Sequence, residues 1–405
     1  MRILRFTLAI AIVMLHVFEM NAKAQMKQSV PIFVRMETVT KYRTMYAQDP
    51  KHHTRELSQF LRTADSLLGM KPLSVMDKKQ TPPSGDKHDF LSMGPYWWPD
   101  STKPDGLPYI RKDGQRNPEY YTISDQYYFG NVVTAAELVT LAYSVTKNEK
   151  YSEKAAQLLR VWFLDPATKM NPNLNHAQYI PGINTGRGIG IIETRYIFKV
   201  LDAVTLLRSS SAWKPGDDKR MTQWLEEYYR WLTAHQYGID ESTEKNNHGT
   251  WYDVQTVSLA LFLGKPEIAR TLLEQATVKR IAAQIEPDGS QPLELARTRS
   301  WSYSVMNLTA MFHLATLGDI AGVDLWNYRS DSGASIGRAL DYLLPFVGNM
   351  KAWNYTQISR SETEPLFRLI GTAQLKYGSE RYAKWKKQLD SAGVAGTLEE
   401  TVLIY

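Results

Sequence analysis

Apolar residues recur at helical spacing along most of this chain. The segments Asp125 to Val145, Lys154 to Phe163, Gly190 to Leu207, Asp218 to His235, Thr250 to Leu263, Ile268 to Ile285, Tyr303 to Leu317 and Ile336 to Leu344 each place apolar side chains three and four positions apart, the period of one helix face. The two-residue alternation of a half-buried strand is scarce. Breakers separate the helical segments at Asn148-Glu149, Asp165-Pro166, Pro215-Gly216, Gly264-Lys265-Pro266, Asp288-Gly289 and Ser332-Gly333. Short links between successive helices make antiparallel hairpins, so the pattern predicts an all-α chain of about a dozen helices, curled into a bundle, a solenoid or a closed α/α toroid. The sequence shows no fixed-period repeat, which argues against a regular solenoid.

Two long stretches, Pro82 to Pro118 and Met170 to Gly188, refuse the helical pattern and are rich in Pro, Gly, Asn and aromatics. They are too long for neutral connections and too aromatic for disorder, so they are the expected walls of a binding cleft. The first two dozen residues differ again. Arg2 and Arg5 precede an apolar run from Phe6 to Phe18, and Ala22-Lys23-Ala24 offers a small-x-small cleavage pattern before Gln25. This reads as a secretory signal over 1–24, with a single domain over 25–405 in the periplasm or outside the cell and no membrane attachment after cleavage.

Composition narrows the chemistry. The 405 residues contain no cysteine, which removes disulfides, thiolate metal sites and cysteine nucleophiles. The eight His show no paired ligand spacing, so no metal or other cofactor is expected. A formal charge of +6, near +4 without the signal, points to an acidic partner. Basic and acidic residues are interspersed, which does not fit nucleic acid. The 46 aromatics (11 Trp, 23 Tyr, 12 Phe) supply faces on which sugar rings stack.

Four constellations carry candidate chemistry. Asn246-Asn247-His248 opens a helix that continues through Trp251, and it reads either as a cap or as an amide and an imidazole presented together at a helix mouth. Glu294-Leu295-Ala296-Arg297-Thr298-Arg299 precedes Tyr303, and a guanidinium beside that phenol is expected to lower its pKa from the ordinary value near 10; the bland alternative pairs an Arg with Glu294. Tyr96-Trp97-Trp98, followed by Arg116, mixes stacking faces with a carboxylate binder, as an acidic glycan requires. Asn175, His176, Gln178 and Arg187 sit in the second irregular stretch, with glycines that imply close backbone approach.

Taken together and in this order, these motifs resemble the alginate lyase family of polysaccharide lyases, over roughly residues 80 to 310. The resemblance implies an α/α toroid or incomplete barrel of about six to seven helical hairpins. It also implies a catalytic group of Asn247, His248, Arg297 and Tyr303, acting on an acidic uronan held by Tyr96, Trp97, Trp98, Arg116, Asn175, His176, Gln178, Arg187, Trp251 and Arg299. One spacing departs from the family pattern: the Arg there stands seven positions before the Tyr, whereas Arg297 and Tyr303 are six apart, which leaves Arg297 and Arg299 both open as the working guanidinium.

Such a set suits metal-independent β-elimination. The proton at C5 of a uronate is weakly acidic until the adjacent carboxylate is neutralised, here by Asn247, an Arg and His248. Tyr303 then takes that proton and returns one to O4. A single residue serves both steps only when H5 and O4 share a face, as in mannuronate and glucuronate but not in guluronate. Two rival readings remain: a glycoside hydrolase, which needs two carboxylates across a cleft (candidates Asp89, Asp125, Glu193, Asp253 and Glu294), and a non-catalytic glycan-binding protein.

Overall fold

The computed structural model describes residues 30–50, 54–361 and 364–391. The expected signal, 1–24, lies outside the described residues. One contiguous hydrophobic core runs from Ile32 to Leu389.

The chain is mostly helical. In order, the helices are α1 (Met36–Gln48), α2 (Arg55–Leu68), α3 (Asp125–Thr146), α4 (Glu149–Leu159), α5 (Ile197–Leu207), α6 (Pro215–Ala234), α7 (Gln236–Thr243), α8 (Asn247–Phe262), α9 (Pro266–Ala276), the single turn α10 (Pro292–Leu295), α11 (Ser300–Ala321), α12 (Ile336–Leu343), α13 (Glu364–Tyr377) and α14 (Ser379–Ser391). They divide into two populations. Helices α3, α8 and α11 are apolar on nearly all sides and bury most of their length, while α4, α9 and α12 keep a polar face toward solvent. Packing follows the same division: α3 lies on α5, α5 on α8, α8 on α11 and α11 on α13, with α4, α9 and α14 backing their neighbours from outside. This is the α/α toroid, an inner ring wrapped by an outer one.

Local chemistry accounts for the boundaries. Pro215 and Pro266 occupy the first turns of α6 and α9, where no intrahelical N–H is needed. Asn148 caps α4 by accepting the Lys150 N–H, so α4 begins five residues before the apolar pattern does. Two expected helices lose their regular ends: Gly188–Thr194 forms 3-10 turns ahead of α5, and α9 passes at Thr277–Ala282 into a wider π turn.

The two irregular stretches form one structure. Strand β1 (Leu91–Met93) of the first pairs in parallel with β4 (His176–Tyr179) of the second, and β2 (Trp97–Trp98) pairs with β3 (Ile110–Arg111) within the first. Aromatic residues of α6 hold this structure from outside: Trp224 donates to the carbonyl of Met170 (2.7 Å) and Trp231 to Asn175 Oδ1 (2.9 Å). The segment Ile32–Phe33 is pinned by the buried Asp202 of α5, which accepts both backbone N–H groups at 2.5 and 2.8 Å.

Candidate active site

The inner helices share one direction. Their amino-terminal halves surround a cavity of about 1060 Å³, walled by Gln126 and Thr134 of α3, Lys199 of α5, Asn247, His248 and Trp251 of α8, Ser302 through His313 of α11, and Pro365 and Arg368 of α13. The irregular stretches complete the wall. Eight Arg or Lys side chains line the cavity against two carboxylates, Glu193 and Glu244, so the modest charge of the chain is concentrated here. The positive ends of the helix dipoles add to the attraction for an anion.

The Asn-Asn-His motif divides its labour. Asn246 is the cap, its Oδ1 accepting the His248 N–H at 2.9 Å. Asn247 is buried in the first turn of α8, where its backbone N–H and its side-chain Nδ2 both donate to Glu294, at 2.6 Å and at 3.0 and 2.9 Å to the two oxygens. Its Oδ1 has no partner among the described residues. Glu294 therefore fixes the amide of Asn247 and leaves the Arg residues to other partners. Burial pushes the Glu294 carboxyl above the usual range. His248 is held the same way, with Nδ1 2.8 Å from Oε1 of the buried Glu241, whose pKa is also raised by burial. The ring reaches the cavity wall with Nε2 remaining for a ligand.

Tyr303, on the first turn of α11, meets the irregular stretch. Its hydroxyl lies 2.7 Å from that of Tyr96, and the guanidinium of Arg297 stands 4.1 Å from its ring centroid. Arg297 is not a free cation: Asp113 engages it by three contacts of 2.9 to 3.3 Å and also accepts from Thr298 and Arg111. The expected lowering of the Tyr303 pKa is overturned. Burial and the neighbouring Tyr96 phenol push it up, and the pull of Arg297, shared with Asp113, does not compensate. Arg299 immediately precedes α11, donates to Ser359 Oγ at 3.0 Å and also lines the cavity.

The remaining expected residues separate into two groups. Tyr96, Trp97, Arg116, Gln178, Arg187 and Trp251 are wall residues. Arg187 donates to Gln178 Oε1 at 2.7 Å and lies 5.9 Å from the Trp97 ring centroid; burial lowers its pKa to about 10. Gln178 takes a positive φ of 48°, a strained backbone for a non-glycine residue at a binding wall. Trp98, Asn175 and His176 stand outside the wall. Trp98 donates to the Gln115 carbonyl, Asn175 accepts from Trp231, and His176 Nδ1 lies 3.0 Å from the Thr185 carbonyl. All three stiffen the irregular stretches. A side chain at Gly186 would approach the Asn175 carbonyl to 2.0 Å, so glycine there serves this packing.

Sequence reasoning missed Asp113, Glu241 and, at the inner end, Arg195, Tyr196 and Lys199, because nothing in their own neighbourhoods marks them. Of the carboxylates considered for hydrolysis, only Glu193 reaches the wall, where it accepts from Ser92 at 2.5 Å and burial raises it to about 7. Asp125 pairs with Lys78, Asp253 with Arg280, and Asp89 with Asn171.

A cationic, aromatic-walled cavity in an α/α toroid, lined by an Asn-His pair and by a Tyr with an Arg over its ring, is the kind of site a polysaccharide lyase needs. Comparison with known proteins agrees. The alginate lyase family profile matches residues 74–353, and the chain belongs to that family. An alginate lyase structure from Bacteroides ovatus is 40% identical, with a TM-score of 0.83 over 89% of this chain and 95% of that one. The fold alone is shared with alginate lyase A1-III from Sphingomonas species A1, 16% identical with a TM-score of 0.51 over 94% and 98% of the two chains. It is also shared with a histidine-to-alanine variant of A1-III complexed with tetrasaccharide, 17% identical with a TM-score of 0.55 over 85% and 88%. Among curated proteins none matches the chain.

Proposed function

We propose that this enzyme is exported and cleaves a 4-linked uronan, mannuronate-rich alginate or glucuronan, by syn β-elimination without a metal. The observation that carries the reading is the meeting of Tyr303, Arg297 and Tyr96 on the wall of a strongly cationic cavity that Asn247 and His248 also line. Asn247, His248 and the guanidinium of Arg297 or Arg299 surround the C6 carboxylate and stabilise the enolate-like dianion. Tyr303 takes the C5 proton, the C4–O4 bond breaks as the C4=C5 double bond forms, and the proton passes from Tyr303 to O4. A phenol raised above its ordinary value is well suited to the donating half. It limits the accepting half, so the rate should climb into the alkaline range.

One observation favours a second reading of the base. His248, backed by Glu241, has the arrangement of a general base, and with Tyr303 as the acid it would admit guluronate, whose H5 and O4 lie on opposite faces. An ultraviolet elimination assay over polymannuronate, polyguluronate, glucuronan and glycosaminoglycans separates the readings. Turnover of mannuronate and glucuronate alone supports the shared role of Tyr303, and efficient turnover of polyguluronate overturns it. Cleavage without an ultraviolet-absorbing product would return the hydrolase, and binding without cleavage the glycan-binding protein. Turnover should be unchanged by a chelator, and the secreted chain should begin near Gln25 when its amino terminus is sequenced.

A further inference from the structure

The cavity continues well past Tyr303. His313 also lines it, ten residues further along α11, about 15 Å at the rise of an α-helix. Behind His313 lies Phe33, fully buried and absent from the wall, which packs on its ring at 5.0 Å and on Phe198 at 4.7 Å. A second set of polar groups converges at this inner end. Arg195 stands 4.3 Å from the Tyr196 ring centroid and donates to its hydroxyl at 3.3 Å; Lys199 lies 5.6 Å from the same ring and pairs with Glu137 at 2.8 Å. Trp251 closes one side, 5.9 Å from Tyr196.

These residues play no part in the elimination described above, and Arg195 differs from Arg297 in a telling way. Among the described residues no carboxylate forms an ion pair with Arg195; it donates to the Ile192 carbonyl and the Tyr196 hydroxyl and stands 6.0 Å from the Trp251 ring centroid. A half-buried guanidinium without an ion pair of its own, with Glu193 of the same wall as the carboxylate that feels its charge, gains from the arrival of a further anion. The field at this end is strong enough to hold the Tyr196 phenol below its ordinary value, Arg195 contributing most.

We propose that the inner end is a second uronate subsite, in which Arg195, with Lys199 beside it, receives the carboxylate of a sugar removed from the cleaved linkage, while Tyr196 and Trp251 flank its ring. The proposal rests on the uronan reading of the mouth. A chain end that seats against His313, with Phe33 behind it, would fix the number of sugars between that end and the cleaved bond.

Calorimetric titration of saturated mannuronate oligomers of increasing length into the Tyr303→Phe enzyme tests this, with and without Arg195→Gln. One step in the length series should tighten binding by about tenfold, the worth of a charge-assisted hydrogen bond. Arg195→Gln should remove that step and leave shorter oligomers unaffected, which also shows that the variant is folded. Should Arg195→Gln not fold, the double exchange Lys199→Gln with Glu137→Gln removes a buried pair without stranding either charge, and the same step should shrink. Equal weakening at every length, or none, would overturn the subsite and leave these side chains a structural role. An enzyme that binds none of the oligomers fails the uronan reading itself, whereas binding without a length step fails only the subsite.

Discussion

Two tyrosines in this cavity carry a guanidinium at nearly the same distance, and they respond in opposite directions. Arg297 lies 4.1 Å from the ring of Tyr303 and Arg195 lies 4.3 Å from that of Tyr196, yet the first phenol is pushed above its ordinary pKa and the second is held below it. Both are largely buried, so burial alone does not separate them. What differs is the company each cation keeps. Arg297 shares its charge with Asp113 in a direct ion pair, and Tyr303 faces a second phenol; Arg195 forms no ion pair among the described residues, and Lys199 and Arg368 add to its pull on Tyr196. A cation beside a phenol predicts a direction only once the other neighbours of that cation are known.

The largest effect that would sharpen this contrast is loss of the Tyr303 hydroxyl. Tyr303→Phe should lower kcat by about 10²- to 10⁴-fold in the elimination assay, the usual worth of a positioned acid–base group, while Tyr196→Phe should leave kcat nearly unchanged and raise KM. Comparable losses of kcat in the two variants would erase the distinction between the two ends. Next in size is His248→Ala, for which a fall of about 10²-fold is expected from removal of one preorganised charge-stabilising group.

A smaller effect concerns pH. With Asp113→Asn the charge of Arg297 is no longer shared, the Tyr303 phenolate becomes easier to form, and the rising limb of kcat against pH should move to lower pH by about one unit. A limb that stays in place would mean that Asp113 only anchors the irregular stretch. The smallest effect is on stability. Burial raises Glu193 and Asp202 to about 7, so the stability linked to them is present below the usual carboxylate range and is lost as pH rises through about 7. His313, lowered by burial to about 3, works the other way and loses stability as pH falls from its ordinary value toward 3. Two carboxyls against one imidazole give a Tm higher at pH 5 than at pH 8. Asp202→Asn should flatten that fall, and a scan of Tm against pH in both proteins checks it.

Much of the architecture was legible because its helices bury apolar stripes that repeat with the helical period. The segment Asp125 to Val145 is an example, lengthening by only one residue in α3. Helices α1 and α2 escaped notice because few of their positions are buried, Val39 in the first and Leu57, Phe60 and Ala64 in the second. At the site, motifs whose residues are close in sequence could be read: Asn247 with His248, and Arg297 with Tyr303. Their supports could not be. Glu294 stands 47 positions from Asn247, and Asp113 stands 184 from Arg297, so only the closed ring brings them together. Trp98, Asn175 and His176 lie outside the cavity wall: residue types that bind sugars also stiffen long loops.

The shared direction of the inner helices reaches beyond the site. The amino-terminal parts of α3, α5, α8 and α13 and eight Arg or Lys side chains all line one cavity, so the positive field of the molecule is gathered there. In a polyanionic gel such a body would be turned mouth-first before any side chain touches sugar, and capture, more than turnover, would slow as ionic strength rises.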